Sequence, residues 1–264
     1  MKSSFVRFLF AGSILYSLLA AAQEPQPAGA SSPQQSQPAT RILPAQGKDE
    51  KDKDKKDKDQ ASGTSASGTS NDRLFYALPN FLTLENGANV PPLTARGKFK
   101  VVARSSFDYV QVPWYGFLAG VSQAENSEPG YGQGAEGYGK RFGAAYADGT
   151  IENFMTGAIV PSLLHQDPRF FQSSEGGFAR RTGYAVSRIF ITRTDSGHSQ
   201  FNFSEIFGSA ISAGISTYSY HPREDKTLAN TASVWGSEVG YDTITIIVKE
   251  FWPDIRRKLS KNKK

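Results

Sequence analysis

The sequence predicts an all-α fold, a compact bundle of about five helices with close packing at glycines, preceded by a signal peptide and a disordered linker. Apolar residues recur at helical spacing, which places them on one helix face. The clearest such set is Phe207, Ile211, Ile215 and Tyr218. Small residues four positions apart mark further helix faces. The 264 residues include no cysteine, which excludes disulfide scaffolds, Cys-ligated metals and thiol catalysis.

Residues 1–22 have the three parts of a secretory signal peptide. Lys2 and Arg7 supply the positive start, an apolar run follows, and Ala20–Ala22 offers small residues for cleavage before Gln23. The apolar run is short for a membrane span of about 20 residues, so we expect cleavage. The protein is therefore predicted to be exported, to the periplasm or the periphery of the outer membrane.

Residues 23–72 are predicted to form a disordered linker, because they are rich in Gln, Pro, Ser and Gly and contain almost no apolar side chains to bury. A run of alternating Lys and Asp spans residues 48–59. The linker has seven basic and eight acidic residues, which is unlike the uniformly basic arm of a nucleic-acid-binding protein.

Residues 73–264 are predicted to form one helical domain that ends in a basic tail. The segment before Thr94 is rich in proline and should be irregular. The predicted helices then follow in order: one after Thr94, 114–124, 137–164, 178–192, one from the N-cap Ser204 to Tyr218, and 227–250. Pro253 is expected to open a short final helix.

A strand interpretation competes with this assignment. Residues 186–192 alternate in polarity, and residues 243–248 are rich in β-branched side chains. Exported chains rich in glycine and aromatic residues include outer-membrane β-barrels, so such a barrel is the alternative fold. The helical spacing of Phe207 to Tyr218 favours the all-α fold, because a strand would scatter those residues over both faces.

Rows of small residues at spacing four predict sites where helix backbones approach closely. The rows are Gly116 and Gly120; Gly139, Gly143 and Ala147; and Gly236 and Gly240. Glycine inside a helix costs about 1 kcal/mol relative to alanine, so close helix packing is the expected compensation. None of these rows lies in an uncharged segment of about 20 residues, the condition for a membrane-spanning dimerisation motif.

The C-terminal tail suggests contact with a membrane surface. Residues 249–264 carry a net charge of +5 behind several apolar side chains. Such a segment can lie on an anionic bilayer. The predicted membrane-surface residues are Trp252, Arg256, Arg257 and Lys258, and the alternative is a soluble C-terminal helix.

Catalytic signals are weak. His165 and Asp167 lie two positions apart, and with His221 they are the candidates for a metal-dependent or His/Asp hydrolase. The alternative is that each histidine lies at a helix end or turn in a purely structural role. The sequence lacks a Gly-x-Ser-x-Gly elbow and a phosphate-binding loop, and we predict no cofactor, no metal and no nucleic-acid partner.

Residues 137–259 resemble a group of uncharacterised exported proteins of acidobacteria-type bacteria. The matching stretches are Pro161–Phe171, Ser187–Gly197, Phe203–Gly208, Ala213–Ser216 and Lys249–Leu259. The resemblance implies a self-contained module and carries no activity, ligand or catalytic residue.

These observations predict a non-enzymatic cell-envelope protein, a helical module that associates with a membrane surface or with itself. The competing hypotheses are the hydrolase built on His165, Asp167 and His221, and the small outer-membrane barrel.

Overall fold

A computed structural model describes residues 69–85 and 90–261, and the all-α prediction is confirmed. The predicted signal peptide and residues 23–68 of the expected linker lie outside the described residues. Ser70 was assigned to that linker, yet it is buried and its amide donates to the carbonyl oxygen of Phe81 at 2.9 Å. The folded domain therefore begins before the predicted residue 73.

Helices account for most of the described chain. They are α1 (Ala95–Ser106), α2 (Gln111–Glu125), α3 (Gly134–Phe154), α4 (Val160–Leu163), α5 (Phe178–Phe190), α6 (Phe203–Ser219) and α7 (Leu228–Lys261). A π-helical turn over Met155–Ile159 joins α3 to α4. The predicted helix over 137–164 is thus interrupted just before Pro161, which has no N–H to donate to the preceding turn.

Short strands lie in the segments before and between these helices. They are β1 (Arg73–Leu74), β2 (Leu78–Pro79), β3 (Thr83–Leu84), β4 (Gln166–Asp167), β5 (Phe170–Phe171), β6 (Ile191–Thr194) and β7 (Ser199–Phe201). β1 pairs antiparallel with β2, and β3 pairs parallel with β5. β6 lies between β4 and β7, antiparallel to both. The β3–β5 pair joins the N-terminal segment to the loop after α4, and β4 joins that loop to β6 and β7.

The strand interpretation of two segments is wrong for most of their length. α5 continues to Phe190, and β6 begins only at Ile191. Residues 243–248 lie inside α7. Because α7 packs along α5 and α6, tertiary contacts outweigh the preference of β-branched side chains for strands.

The start of α6 differs from the prediction. Asn202, rather than Ser204, caps the helix, and its Oδ1 accepts from the amide of Glu205 at 3.1 Å. The Ser204 amide and hydroxyl both donate to Oε1 of Gln166, at 2.8 and 2.6 Å. These bonds fix the first turn of α6 against β4.

The C-terminal tail is part of the fold. α7 runs through Pro253 without ending, so Pro253 does not open a separate helix. Trp252 is 0% exposed, and its ring lies 5.1 Å from that of Phe75 and 5.8 Å from that of Tyr76. The predicted membrane-surface role of Trp252 is therefore wrong, because the N-terminal segment covers its side chain.

Arg256 is also held inside the fold. Its guanidinium contacts Asp72 Oδ1 at 3.2 Å and Glu85 Oε1 at 2.9 Å, so it does not face a membrane as predicted. Arg257 and Lys258 are exposed. Local sequence showed a basic tail but not the acidic partners of Arg256, which lie more than 170 residues earlier in the chain.

Five of the seven residues in the predicted small-residue rows do not lie against another backbone. A Cβ added at Gly139, Gly143 or Gly236 would meet no atom within 4 Å, so these positions do not pack against another helix of the chain. Gly116 and Gly120 face the ring of Tyr138 rather than a backbone. The other two predicted residues, Ala147 and Gly240, are partly buried.

Candidate functional site

The interior of the bundle is unusually polar. The apolar core cluster consists of Phe81, Leu93 and Val101 with Leu82 packed against it. The buried face of α6, by contrast, carries small and hydroxyl-bearing side chains: Ser204, Gly208, Ser209, Ser212, Ala213, Ser216 and Thr217. Polar groups in an interior need hydrogen-bond partners. Buried polar groups without a partner are therefore candidates for a functional site.

A cavity of about 400 Å³ lies among the helices. Carboxylates reach it from three elements, with Glu152 on α3, Glu205 on α6 and Asp242 on α7. Lys249, two turns beyond Asp242 on α7, is in the same lining. The lining extends to Trp114, whose side chain is 41% exposed, so the cavity reaches the surface beside α2.

The carboxylates resist ionisation. Burial raises the pKa of Glu152 well above its usual range, and the nearby charges of Asp242, Glu238 and Glu205 raise it further. Burial likewise raises the pKa of Glu205, and so does its hydrogen bond to Asp242. Both shifts favour the neutral carboxyl in the folded protein.

Asp242 and Lys249 form the charged centre of the lining. Burial raises the pKa of Asp242, while the hydrogen bond from Glu205 and the charge of Lys249 oppose that rise. Burial lowers the pKa of Lys249, and the charges of Asp242 and Glu205 oppose that fall. The ionisation of Glu205, Asp242 and Lys249 is therefore coupled, because each group affects the pKa of the others.

Glu238 lies one turn before Asp242 and is 8% exposed. In the described part of the chain, neither of its carboxylate oxygens has a hydrogen-bond partner. Burial, followed by the charges of Asp148 and Asp242, raises its pKa to about 9. Glu238 thus extends the acidic cluster away from the cavity.

His221 lies between two carboxylates. Its Nε2 is 3.3 Å from Asp148 Oδ2, and its Nδ1 is 3.4 Å from Glu128 Oε1. Burial disfavours the charged imidazole, but the hydrogen bonds to Asp148 and Glu128 outweigh it and raise the pKa to about 9. The Tyr220 hydroxyl also donates to Asp148, at 2.6 Å. This ion-paired group joins the end of α6 to α3 and the loop after α2.

The structure does not bring His165, Asp167 and His221 together. His165 is exposed at the turn after α4, and the Asp167 carboxylate pairs with Arg169 at 2.6 Å. His221 has its own partners, as described above. Among the residues that the structure describes, no three His, Cys, Asp or Glu side chains converge on a metal position.

Sequence reasoning missed the acidic cluster, although a signal for it exists. Asp148 and Glu152 lie four positions apart, as do Glu238 and Asp242. Residues four apart share a helix face, so each pair was bound to point in one direction. The sequence does not show whether that direction leads to solvent or to the interior, so the spacing alone could not reveal the cluster.

The outer face of α6 is apolar. Five large side chains project from it, 37–53% exposed: Phe203, Phe207, Ile211, Ile215 and Tyr218. We call this set the α6 stripe. The only charged residue of α6, Glu205, points inward to the cavity. The periodicity that predicted this helix was correct, but the apolar side faces outward and the polar side faces the interior.

An apolar groove lies beside the stripe. It has a volume of about 340 Å³ and is lined by Phe190, Phe201, Ile206, Trp235, Gly236 and Val239. The Trp235 indole N–H donates to the carbonyl oxygen of Ile206 at 3.1 Å, so the ring presents only apolar surface. Phe201 joins the groove to the α6 stripe, because its ring lies 5.0 Å from that of Phe203.

None of the helices in the described ranges is both long enough and apolar enough to pass through a bilayer. Comparison with protein families, with curated proteins and with solved structures finds no match to this chain.

Proposed function

We propose that the protein is an exported, non-enzymatic module of the cell envelope that binds a membrane surface through the α6 stripe. The observation that carries this proposal is the reversed burial of α6, with hydroxyl groups inside and large apolar side chains outside. On soluble proteins, contiguous exposed apolar patches mark interaction sites. The occupant we infer is the acyl region of a bilayer.

The chemistry of the stripe favours lipid as the partner. The stripe carries no charge, whereas protein interfaces surround an apolar centre with a polar rim. Full burial of a side chain of this size contributes roughly 1.5–3 kcal/mol, so five half-exposed side chains contribute on the order of 5 kcal/mol. This amount suits reversible attachment in the plane of the interface.

The groove supplies a second contact. It is open and almost wholly apolar, and it adjoins the stripe at Phe201. An acyl chain displaced from the bilayer fits such a surface, because it needs no hydrogen-bond partner. The tail contributes less than its sequence suggests, since Trp252 and Arg256 are engaged within the fold.

Vesicle flotation tests the proposal. We expect the protein to float with neutral phosphatidylcholine vesicles and to remain bound at high salt, because apolar contacts are not screened. Phe207→Ser should reduce the bound fraction several-fold. Phe107→Ser is the matched control, since Phe107 is exposed but lies outside the stripe, and it should bind like the unmodified protein.

Two outcomes contradict the proposal. One is the absence of flotation with neutral vesicles, combined with binding to anionic phosphatidylglycerol that salt abolishes; the basic tail would then be the contact. The other is a dimeric mass in solution that Phe207→Ser converts to a monomer, which would make a second copy of the chain the partner of the stripe.

A further inference from the structure

One wall of the cavity carries three arginines. They are Arg169 in the turn between β4 and β5, Arg188 in the last turn of α5, and Arg193 on β6, and we call them the arginine wall. Arg169 is already paired, since its Nε and Nη2 donate to the two carboxylate oxygens of Asp167 at 2.8 and 2.6 Å. Asp167 is the only acidic residue of β4, β5, β6 and α5, so two of the three guanidiniums lack a carboxylate there.

Arg188 and Arg193 have donors to spare. Among the described residues, neither forms an ion pair with a carboxylate. The Arg188 guanidinium donates to Oγ of Ser187 at 3.2 and 3.3 Å, and within the same ranges that of Arg193 makes no hydrogen bond. Both side chains are partly buried, and in the described chain none of their unpartnered nitrogen atoms is closed off from solvent. A ligand in the cavity can therefore contact them.

The two unpaired guanidiniums converge on Tyr184 and Phe171. Cζ of Arg188 lies 4.9 Å from the centroid of the Tyr184 ring, and Cζ of Arg193 lies 4.5 Å from that of Phe171. The Tyr184 hydroxyl donates to the carbonyl oxygen of Phe171 at 2.6 Å. Burial raises the pKa of Tyr184, and the charges of Arg188 and Arg193 both oppose the rise, so both charges act on one hydroxyl. The rings orient the planar guanidiniums before a ligand arrives.

The acidic side chains of the cavity other than Asp167 lie on different elements. The lining carries four basic and four acidic side chains, namely Arg169, Arg188, Arg193, Lys249, Glu152, Asp167, Glu205 and Asp242. The basic residue whose charge acts on Glu205 and Asp242 is Lys249. The lining is thus balanced in total, but the arginine wall with Asp167 has three guanidiniums against one carboxylate, a local charge of +2.

We propose that the arginine wall binds a phosphate group, held jointly by Arg188 and Arg193. A phosphate monoester carries nearly two negative charges at neutral pH and three strong acceptor oxygens, which match the local charge and two forked donors. The group can belong to a free phosphate ester or to a lipid headgroup, and a cavity of about 400 Å³ has the usual size of a small-molecule site. The site contains no residue of the α6 stripe, so it does not depend on membrane attachment.

Calorimetry of the intact chain with inorganic phosphate and with glycerol 3-phosphate tests the proposal. Glycerol is the uncharged comparison ligand, and sodium chloride keeps the ionic strength equal in every titration, so general screening is separated from binding. We expect both phosphates to bind and glycerol not to bind.

Substitutions locate the site. Arg188→Gln and Arg193→Gln should each weaken phosphate binding by about tenfold or more, because a charged, forked donor is replaced by a neutral amide. Arg180→Gln is the matched control on α5. Arg180 is exposed and lies outside the cavity lining, so its substitution should leave the affinity unchanged.

Thermal unfolding distinguishes ligand binding from a structural role. Phosphate should raise the melting temperature of the unmodified protein and of Arg180→Gln, but not that of the double variant Arg188→Gln/Arg193→Gln. Arginines with a purely structural role would instead lower the melting temperature equally with and without phosphate, which would overturn the proposal.

Vesicle flotation identifies the source of the phosphate. For a lipid headgroup, adding phosphatidic acid to phosphatidylcholine vesicles should increase the bound fraction of the unmodified protein and not of the double variant. For a free ester, glycerol 3-phosphate binds in calorimetry and phosphatidic acid has no such effect. The proposal is overturned if neither phosphate nor phosphatidic acid binds, if chloride at equal ionic strength stabilises the protein as phosphate does, or if both wall variants bind like Arg180→Gln.

Discussion

Gly208 on α6 lies directly against the backbone of Met155 in the π-helical turn. A Cβ added at Gly208 would stand 3.2 Å from the carbonyl carbon of Met155 and 3.3 Å from Cα of Thr156. Both neighbours are backbone atoms of a helical segment, which cannot move away as the end of a side chain can. Gly208 therefore marks a close approach of α6 to the α3–α4 connection, at a glycine that belongs to none of the predicted rows.

Gly208→Ala should therefore destabilise the protein by about 1–3 kcal/mol, the usual cost of overpacking. Gly214→Ala is the control on the same helix, where an added Cβ meets nothing within 4 Å. That substitution should stabilise the protein by up to about 1 kcal/mol, because alanine is the better helix former. Urea denaturation of both variants measures the difference, and equal midpoints would show that α6 can shift to accept the methyl group.

The pairing of His221 with Asp148 and Glu128 should make stability depend on pH. The pKa of His221 is raised from 6.5 to about 9 in the folded protein. Its contribution is therefore fully present below pH 6.5 and is lost as the pH rises through 9. After allowance for solvent screening, the contribution is on the order of 2 kcal/mol.

Chemical denaturation from pH 6 to pH 10 measures this effect. His221→Gln should lower the free energy of unfolding at pH 6 and have little effect at pH 10. His198→Gln, at an exposed turn position, should behave like the unmodified protein throughout. A loss of equal size at both ends of the range for His221→Gln would assign the histidine a packing role instead.

Glu238→Gln should stabilise the protein at alkaline pH. The Glu238 pKa is raised to about 9, so the folded state prefers the neutral carboxyl. The associated stability is complete near pH 4.5, the ordinary pKa, and is lost as the pH rises through 9. Glutamine has no such loss, so we expect a gain of about 1–2 kcal/mol at pH 9 and almost none at pH 5. Denaturation at the two pH values checks the sign, and a gain at pH 5 alone would contradict it.

Trp252→Ala should be among the most damaging substitutions in α7. The side chain is fully buried and packs on Phe75 and Tyr76, so its removal should cost about 3–5 kcal/mol. Trp252→Phe should cost less, because the indole N–H has no partner among the described residues. Thermal unfolding measures both, with Leu259→Ala as the exposed control. A membrane-surface role for Trp252 would instead reduce vesicle binding and leave stability unchanged.

Local patterns predicted the helices because they depend on neighbours three and four residues away. The period of Phe207, Ile211 and Ile215 identifies α6 whichever way the apolar face points. Whether the apolar face of α6 points to the interior or to solvent depends on what the opposite face packs against. The serines of that face, Ser212 and Ser216, are compatible with either an interior or a solvated surface, so the reversal was not visible in the sequence.

The acidic cluster escaped prediction for a related reason. Charged residues in a helix normally indicate a solvated face, so nothing in the local sequence marked Glu152, Glu205 and Asp242 as buried. Their burial follows from three helices turning carboxylates toward one cavity, an arrangement of tertiary packing. The predicted Gly139 and Gly143 row failed for the same reason, since spacing defines a face but not its neighbour.

The salt bridges of Arg256 with Asp72 and Glu85 affect the order in which the domain folds. These partners are separated by 184 and 171 positions along the chain, and contacts of such long range form late, after large loops have closed. Asp72 and Glu85, which flank the first three strands, cannot acquire their final partner until the last helix has been synthesised. A chain truncated before residue 250 should thus be disordered at both ends of the folded domain. Rapid proteolysis near residue 80 would show this.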